Sequence, residues 1–462
     1  MPFSGKAPLF LEQIKWYNEQ KIQETGYVEQ REIQIGLLGM GTVGGGVVSL
    51  LHKNGAYIRA KNGVNLNIKK ILVRDPSKAR AVDGLPSSIF TRDAAEILSD
   101  PGIDIVVELI GGIEPAHSYM DEALKQGKYV VTANKDVMAH HGADLLSTAG
   151  ENNRAIFFEA SAGGGIPLIR PLKHCLSANR IERVMGIING TTNYILTRMS
   201  FAGLELDQAL KEAQEKGFAE ADPSNDLEGR DAAYKLIVLS GLAFGSFVNI
   251  DDVHVQGIKN VTARDLFYAH QWGYTIKLLA TGERVNDGLS LRVFPALLPL
   301  KHPLASVYNE FNALFVEGDA AGELMFYGKG AGALPTASAV VSDIIDAARC
   351  LSYGPNNGIY TAPSKDVRIV PEEEIYSSFY LRLQAQDRPG VFASIATAFG
   401  DENVSLDMIL QKRGEVGTAE IVLVTHDVHE DDFFRALDHI GRMPPIGKIN
   451  SVFRVLNKEN GD

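Results

Sequence analysis

The chain has 462 residues, 45% of them hydrophobic and 22% charged, the make-up of a globular protein of two or three domains. Its 45 Lys+Arg against 57 Asp+Glu give a net charge of −12, which argues against nucleic acid or an anionic membrane as main partner. Two cysteines, Cys175 and Cys350, offer no cysteine metal cluster and fit a reducing compartment. No apolar run reaches the roughly 18 residues of a membrane span, and no secretory signal is seen, so a cytoplasmic protein is expected.

In residues 1–31, Phe10, Ile14 and Tyr17 recur at helical spacing and predict one amphipathic helix lying on a neighbouring domain or subunit. Residues 32–155 read as a Rossmann-type dinucleotide domain. IQIGLLGMGTVGGGVVSLLHK is a strand, a glycine turn and a helix, with Gly39, Gly41 and Gly44 spaced G-x-G-x-x-G. Such glycines let the backbone approach a pyrophosphate held at the helix N-terminus. AYIRAKNGVN reads as an insertion with a turn at Asn62-Gly63, ahead of a second strand, LNIKKILVRD. At its end Arg74 suits a 2′-phosphate and Asp75 a free 2′-hydroxyl; the reading leans to NADP(H) and leaves NAD(H) open. IDIVVELIGG is an apolar strand with Glu108 near its end, and KYVVTANK is another, ending in Asn134 and Lys135. Strands alternating with helices imply a parallel sheet whose strand ends bind ligand, which makes Lys135 a site candidate.

Residues 156–365 read as a mixed α+β substrate and dimerisation domain. NRAIFFEASAGGGIPLIRPLKHCL gives a strand, a turn at Gly163-Gly164-Gly165, and a helix beginning near Pro167 with Cys175 in its packing. Glu159 and bare carbonyls in such a turn can bind a monovalent cation; the turn also serves plain strand–helix packing. VMGIINGTTNYILTRM ends a strand at Asn189-Gly190, with Thr191 or Thr192 capping the next helix. GFAEADPSNDLEGRDAAYK then runs from loop into helix from Asp226 onward, with Asp231 and Lys235 four apart on one face. By spacing alone that is an ordinary surface pair or an acid–lysine pair at the mouth of an apolar helix. Alternating segments such as TIKLLATGERVNDGLSLRVFPALL predict antiparallel strands. YGKGAGALPTASAVVSDIIDAA adds a glycine turn, in which Gly330 and Gly332 close over the cofactor, and a helix over 332–350 that completes the dinucleotide domain.

VRIVPEEEIYSS reads as an acidic, weakly structured joint. Residues 376–457 then follow the order βαββαβ of a ferredoxin-like unit: FYLRLQAQ, a helix after DRPGV, SLDMILQKR, TAEIVLVTHD, EDDFFRALDHI and NSVFRVL. The DRPGV start and element order resemble an ACT domain.

The motifs GLLGMGTVGGGV, VVELIGG, VVTANKD, FEASAGGGIPLIRPL, GIINGTTNYILTRM, GFAEADPSNDLEGRDAAYK and GKGAGALPTASAVV run in order over residues 33 to 350 and resemble homoserine dehydrogenase. That resemblance implies NAD(P)H-dependent reduction of L-aspartate 4-semialdehyde to L-homoserine, on the route to threonine, methionine and isoleucine. It implies Lys235 as proton donor, with Lys135 touching substrate and nicotinamide, and Asp231 supporting the lysine. Glu220 would take the substrate amino group, with Asp226 beside it. Gly39, Gly41, Thr42, Val43, Gly44, Arg74 and Gly332 would contact cofactor, and Glu159, Ala162, Gly164 and Ile166 would form a sodium site, mostly through carbonyls. The ACT resemblance implies an effector, L-threonine by analogy, at Asp387, Gly390 and Asn403, often between paired modules, in a homodimer or homotetramer. With no kinase-sized segment before residue 33, a monofunctional enzyme is expected. The alternative is a catalytically silent NAD(P)-binding amino-acid sensor.

Overall fold

The structure, a computed structural model, describes residues 32–76, 85–353, 367–371, 374–414 and 417–456; the helix expected in residues 1–31 lies outside them. The first unit is built from β1 (Glu32–Leu38), α1 (Thr42–Asn62), β2 (Asn65–Leu72), β3 (Phe90–Thr91), α2 (Ala95–Leu98) and β4 (Ile105–Glu108). It continues with α3 (Ala116–Lys125), β5 (Tyr129–Thr132), α4 (Lys135–Glu151) and β6 (Ile156–Phe157). Its strands form one parallel sheet in the order β3-β2-β1-β4-β5-β6. Strand β4 is buried at all four positions, as a strand covered on both faces must be. Helix α1 differs from the sequence reading, because AYIRAKNG continues it without an insertion and Gly63, at φ 68°, ends it.

The second unit begins with β7 (Ile181–Ile187), α5 (Gly190–Ala202), α6 (Leu206–Glu215), α7 (Ser224–Leu227) and α8 (Arg230–Ala243). It goes on through β8 (His254–Val255), α9 (Ala263–Gln271), β9 (Tyr274–Val285), β10 (Gly288–Pro299), β11 (Phe311–Gly318) and β12 (Gly322–Lys329). Helix α10 (Ala333–Tyr353) then returns to the first unit. A Cβ on Gly46 of α1 would lie 2.8 Å from Ala333 O and 3.0 Å from Ala337 Cβ, so α1 and α10 touch along their backbones. The helix expected near Pro167 is instead a short π-type turn at Pro171–Cys175. Pro171 has no N–H to return to Pro167, and the turn widens to Leu176 N→Pro171 O. Cys175 is exposed there, not packed.

The third unit holds β13 (Tyr376–Gln386), α11 (Val391–Asp401), β14 (Leu406–Arg413), β15 (Thr418–Thr425), β16 (Val428–His429), α12 (Glu430–Gly441) and β17 (Ile446–Val455). Its sheet does not stand alone. The strand order β12-β11-β7-β9-β10-β17-β13-β15-β14 runs unbroken across both units, joined where β10 pairs in parallel with β17 (Ala296 with Arg454, Leu297 with Val455). The expected weak joint is also engaged, since Leu289 N donates to Arg368 O and Val370 N to Leu289 O, both at 2.9 Å. Buried side chains lock the seam. Arg382 on β13 donates to Asp265 on α9 at 2.7 Å and to Glu420 on β15 at 3.2 Å, while Arg292 on β10 meets Glu430 on α12 at 3.0 Å. Among the described residues no helix is long and apolar enough to cross a membrane.

Candidate active site

The glycine turn sits at the carboxyl ends of β1 and β2, where Gly39 N donates to Leu72 O at 3.0 Å. Gly39 has φ 101°, and a Cβ on it would lie 2.8 Å from Leu109 O. A Cβ on Gly44 would meet Gly39 O at 2.4 Å, so the third glycine packs helix onto strand. Gly41 faces open space, with nothing within 4 Å of a Cβ, and supplies no side-chain cap to α1. Thr42 and Val43 therefore open a helix whose N-terminus carries no side-chain cap, the kind of helix start that can hold a phosphate. Arg74 is exposed just past β2, and Asp75 stands 3.7 Å from Arg92. These residues fit a dinucleotide.

A cavity of about 620 Å³ lies beyond the ends of β5 and β7, lined among others by Lys135, Glu220, Asp226, Asp231, Lys235 and Gly332. Lys135 is the first residue of α4, behind Asn134, whose side chain caps the helix by accepting from Val137 N. The run from Asp226 divides into two helices, because Gly229 turns the chain at φ 85° between α7 and α8. That break puts Asp231 in the first turn of α8, where the helix dipole favours a carboxylate, and Lys235 one turn later. Lys235 Nζ donates to Asp231 Oδ2 at 2.7 Å and to Ile188 O at 3.0 Å. Lys135 Nζ stands 3.4 Å from Asp231 Oδ1, so two ammonium groups share one carboxylate. Burial would raise the Asp231 carboxyl, but Lys235 and Lys135 overcome it and hold it below the usual range. Burial likewise works to lower Lys135, and the carboxylates of Asp231 and Asp136 outweigh it, holding the amine above its ordinary value. An ammonium has three donors, and Lys235 spends two on the protein, leaving one for a ligand.

Sequence reasoning missed Asn189. Its Nδ2 donates to Asp226 Oδ1 at 2.7 Å and Asp231 Oδ2 at 2.8 Å, and its Oδ1 accepts from Thr192 N at 2.8 Å. Asn189, not Thr191 or Thr192, is thus the cap of α5; an asparagine at a strand end before a helix was the available signal. Thr191 instead donates its hydroxyl to Phe218 O at 2.7 Å. Asp226 is pushed up by burial and by neighbouring Asp231. Glu220 is exposed on the cavity wall and has no basic partner among the described residues.

Two groups of candidates fall elsewhere. The Glu159 carboxylate is 2% exposed and accepts from Leu168 N at 2.6 Å, Ile169 N at 2.8 Å and Arg170 N at 2.9 Å. It is spent capping that turn, and no group of three or more His, Cys, Asp or Glu able to hold a metal ion exists among the described residues. The glycine turn beside it serves close packing: a Cβ on Gly164 would lie 2.2 Å from Gly330 O. The candidates Ala162 and Ile166 are both buried in this segment. In the third unit Gly390 precedes α11 and Asn403 follows it. An 11-residue helix separates them, a span of about 16 Å at about 1.5 Å per residue, so one chain does not bring them together. Asp387 stands 3.8 Å from Arg413 at the Gly390 end.

Residues 167–345 match the family model "Homoserine dehydrogenase", residues 39–159 "Homoserine dehydrogenase, NAD binding domain" and residues 379–444 "ACT domain". A homoserine dehydrogenase of Bacillus subtilis (strain 168) is 42% identical over 427 residues, covering 92% of this chain and 98% of that protein. The crystal structure of a homoserine dehydrogenase from Thiobacillus denitrificans superposes with a TM-score of 0.88 at 40% identity, over 93% of this chain and 99% of that one. A hyperthermophilic archaeal homoserine dehydrogenase in complex with NADPH is 29% identical with a TM-score of 0.59, over 70% of this chain and 99% of that one.

Proposed function

Because the chain belongs to the homoserine dehydrogenase family, NAD(P)-dependent oxidoreductases acting on a CH–OH group, we propose that it reduces L-aspartate 4-semialdehyde to L-homoserine. The observation that carries this reading is the pair of ammonium groups, Lys235 and Lys135, set on opposite oxygens of Asp231 in one cavity wall. A bound nicotinamide dinucleotide supplies the hydride. As the hydride reaches the carbonyl carbon, negative charge grows on the oxygen, and two nearby ammonium groups stabilise it. Lys235 gives that oxygen its proton and forms the alcohol; Asp231 holds the lysine in place. Glu220, with no basic partner among the described residues, takes the substrate ammonium, and Asp226 borders the same end.

Gly39, Gly41, Thr42, Val43 and Gly44 would hold the pyrophosphate, Arg74 the adenosine end and Gly332 the far side; exposed Arg74 favours NADP(H). A sodium ion at the Glu159 turn could draw only on main-chain carbonyls such as those of Ala162, Gly164 and Ile166, and no step is routed through it. The third unit serves as an effector module, with L-threonine the effector by analogy with the family. Since Asp387–Gly390 and Asn403 lie at opposite ends of α11, an effector touching both sets needs a second module from another chain. This fits a homodimer or homotetramer in the threonine, methionine and isoleucine route, in a reducing cytoplasmic setting. A silent nucleotide sensor has no use for two lysines on one carboxylate and is not favoured.

The test is NADPH and NADH oxidation with aspartate semialdehyde, for wild type and Lys235→Ala, with and without L-threonine. Loss of turnover by about 10²-fold or more in the variant, with cofactor affinity intact, supports the proton-donor role. Homoserine oxidation is expected to favour alkaline pH, and a flat profile counts against a lysine acid. A wild type that binds NADPH but turns nothing over returns the silent-sensor reading.

A further inference from the structure

Glu108 is the last residue of β4, fully buried at the carboxyl end of the sheet, where ligands of such sheets bind. The three residues before it, Ile105, Val106 and Val107, are buried and apolar, so a carboxylate here is a departure from its own strand. No cation pairs with it among the described residues. Every partner it has is a hydrogen-bond donor. Oε1 accepts from Ile110 N at 2.7 Å and, more weakly, from Gly111 N at 3.4 Å; Oε2 accepts from the Thr132 hydroxyl at 2.7 Å. Thr132 is its register neighbour at the end of β5. The Thr132 oxygen in turn accepts from Asn134 N at 3.0 Å, and Asn134 Nδ2 donates to Gly112 O at 2.7 Å. The bonds close a ring: carboxylate, loop, amide, hydroxyl, carboxylate.

The ring touches both halves of the site. On one side, Leu109 N donates to Leu38 O at 2.8 Å, and Leu109 O crowds Gly39 of the dinucleotide turn. On the other, Asn134 Oδ1 caps α4 at Val137 N, 3.1 Å away, and the next residue after Asn134 is Lys135. Burying a carboxylate is costly unless its bonds are made, and here each bond fixes one wall of the crevice.

We propose that Glu108 is a positioning residue whose ring with Thr132 and Asn134 sets the Gly111-Gly112 loop and the start of α4, and through them Lys135, for hydride transfer. The proposal rests on the reading of Lys135 given above. Thr132→Val keeps the shape of the side chain and removes both ring contacts of its hydroxyl. We expect kcat to fall by about tenfold or more, as small displacements of reacting groups cost that much. The pH profile of kcat should move as the Lys135–Asp231 distance changes, and NADPH affinity, read by quenching of protein fluorescence, should weaken. Thr132→Ser should restore all three. If Thr132→Val does not fold, Glu108→Gln decides, since it keeps the shape and turns one accepting oxygen into a donor that faces another donor. Unchanged kcat, pH profile and NADPH affinity in the variant that folds would overturn the proposal. A wild type inactive on the semialdehyde sinks the functional reading alone, because the NADPH comparison still judges the ring.

Discussion

Asn189 donates its side-chain amide to Asp231 Oδ2 at 2.8 Å, across 42 residues of sequence. The same amide bridges to Asp226 and its oxygen caps α5, so one residue ties the helix start to the carboxylate that serves Lys235. Asn189→Ala should cost about 1 kcal/mol for the lost cap and lower kcat by about tenfold as Asp231 loses a fixed donor. Asn189→Asp separates the two effects. It keeps a capping oxygen yet puts a third carboxylate beside Asp226 and Asp231, so kcat should fall further than in Asn189→Ala. Urea unfolding and steady-state kinetics on the two variants decide; equal kcat in both would leave Asn189 a cap only.

Asp226 makes a prediction of opposite sign to most acid variants. Burial and Asp231 raise its carboxyl in the folded chain. From the ordinary carboxylate value of about 3.9 up to that raised value, the folded chain holds a proton that the unfolded chain has lost. This contribution to stability is therefore present at low pH and is lost as pH rises through the folded value. Asp226→Asn, which still accepts from Asn189, should melt higher than wild type at pH 7–8, and the gain should shrink toward pH 4. It should also lower turnover. A variant less stable at both pH values would show that the hydrogen bonds of the carboxylate outweigh its burial.

The local parts of this site were legible in the sequence and the long-range parts were not. Gly39, Gly41 and Gly44 follow from a strand-to-helix turn, and the Asp231–Lys235 spacing follows from one helical turn; both are settled within a few residues. AYIRAKNGVN reads as an insertion, yet α1 runs on through its start to Asn62: Gly55 just before it faces open space, and Ile58 within it is buried. A solvent-facing glycine costs a helix only about 1 kcal/mol, which burying an isoleucine offsets. Asn189 was passed over because its partners stand 37 and 42 residues away. The sheet shared by β10 and β17 was invisible for the same reason: each strand reads as complete within its own unit.

Lys277 on β9 is a second buried titratable group, 2% exposed, donating to Asn193 Oδ1 and Val307 O. Burial pushes its amine down to about 7. Between about 7 and the ordinary lysine value of about 10.4 the unfolded chain carries a proton that the folded chain lacks. Stability from this group must therefore rise with pH across that window. Lys277→Met removes the dependence while keeping the unbranched stem. Wild type should gain stability over Lys277→Met between pH 7.5 and 9.5, by up to about 1.4 kcal/mol per unit. A constant difference in urea unfolding across that range would show that Lys277 stays charged when folded.

At the seam between the second and third units, Arg382 is nearly fully buried. Its guanidinium donates to both oxygens of Asp265, to Glu420, to Thr262 Oγ1 and to Ser451 Oγ. Burial would lower this arginine, but Asp265 and Glu420 more than compensate. Removing it leaves two carboxylates without their shared partner. Arg382→Leu should then cost about 3–5 kcal/mol, the loss expected when one member of a buried charged network is deleted. Arg264 also binds Glu420, but its side chain is 55% exposed, so Arg264→Leu should cost no more than about 1 kcal/mol. Arg382→Lys is the more informative change. A single ammonium cannot span Asp265, Glu420, Thr262 and Ser451 at once, so it should recover only part of the loss. Because Asp265 lies on α9 and Glu420 on β15, both units should lose stability together in one transition. Two separated melting steps, with the first unaffected by the variant, would show that the shared sheet does not couple the units.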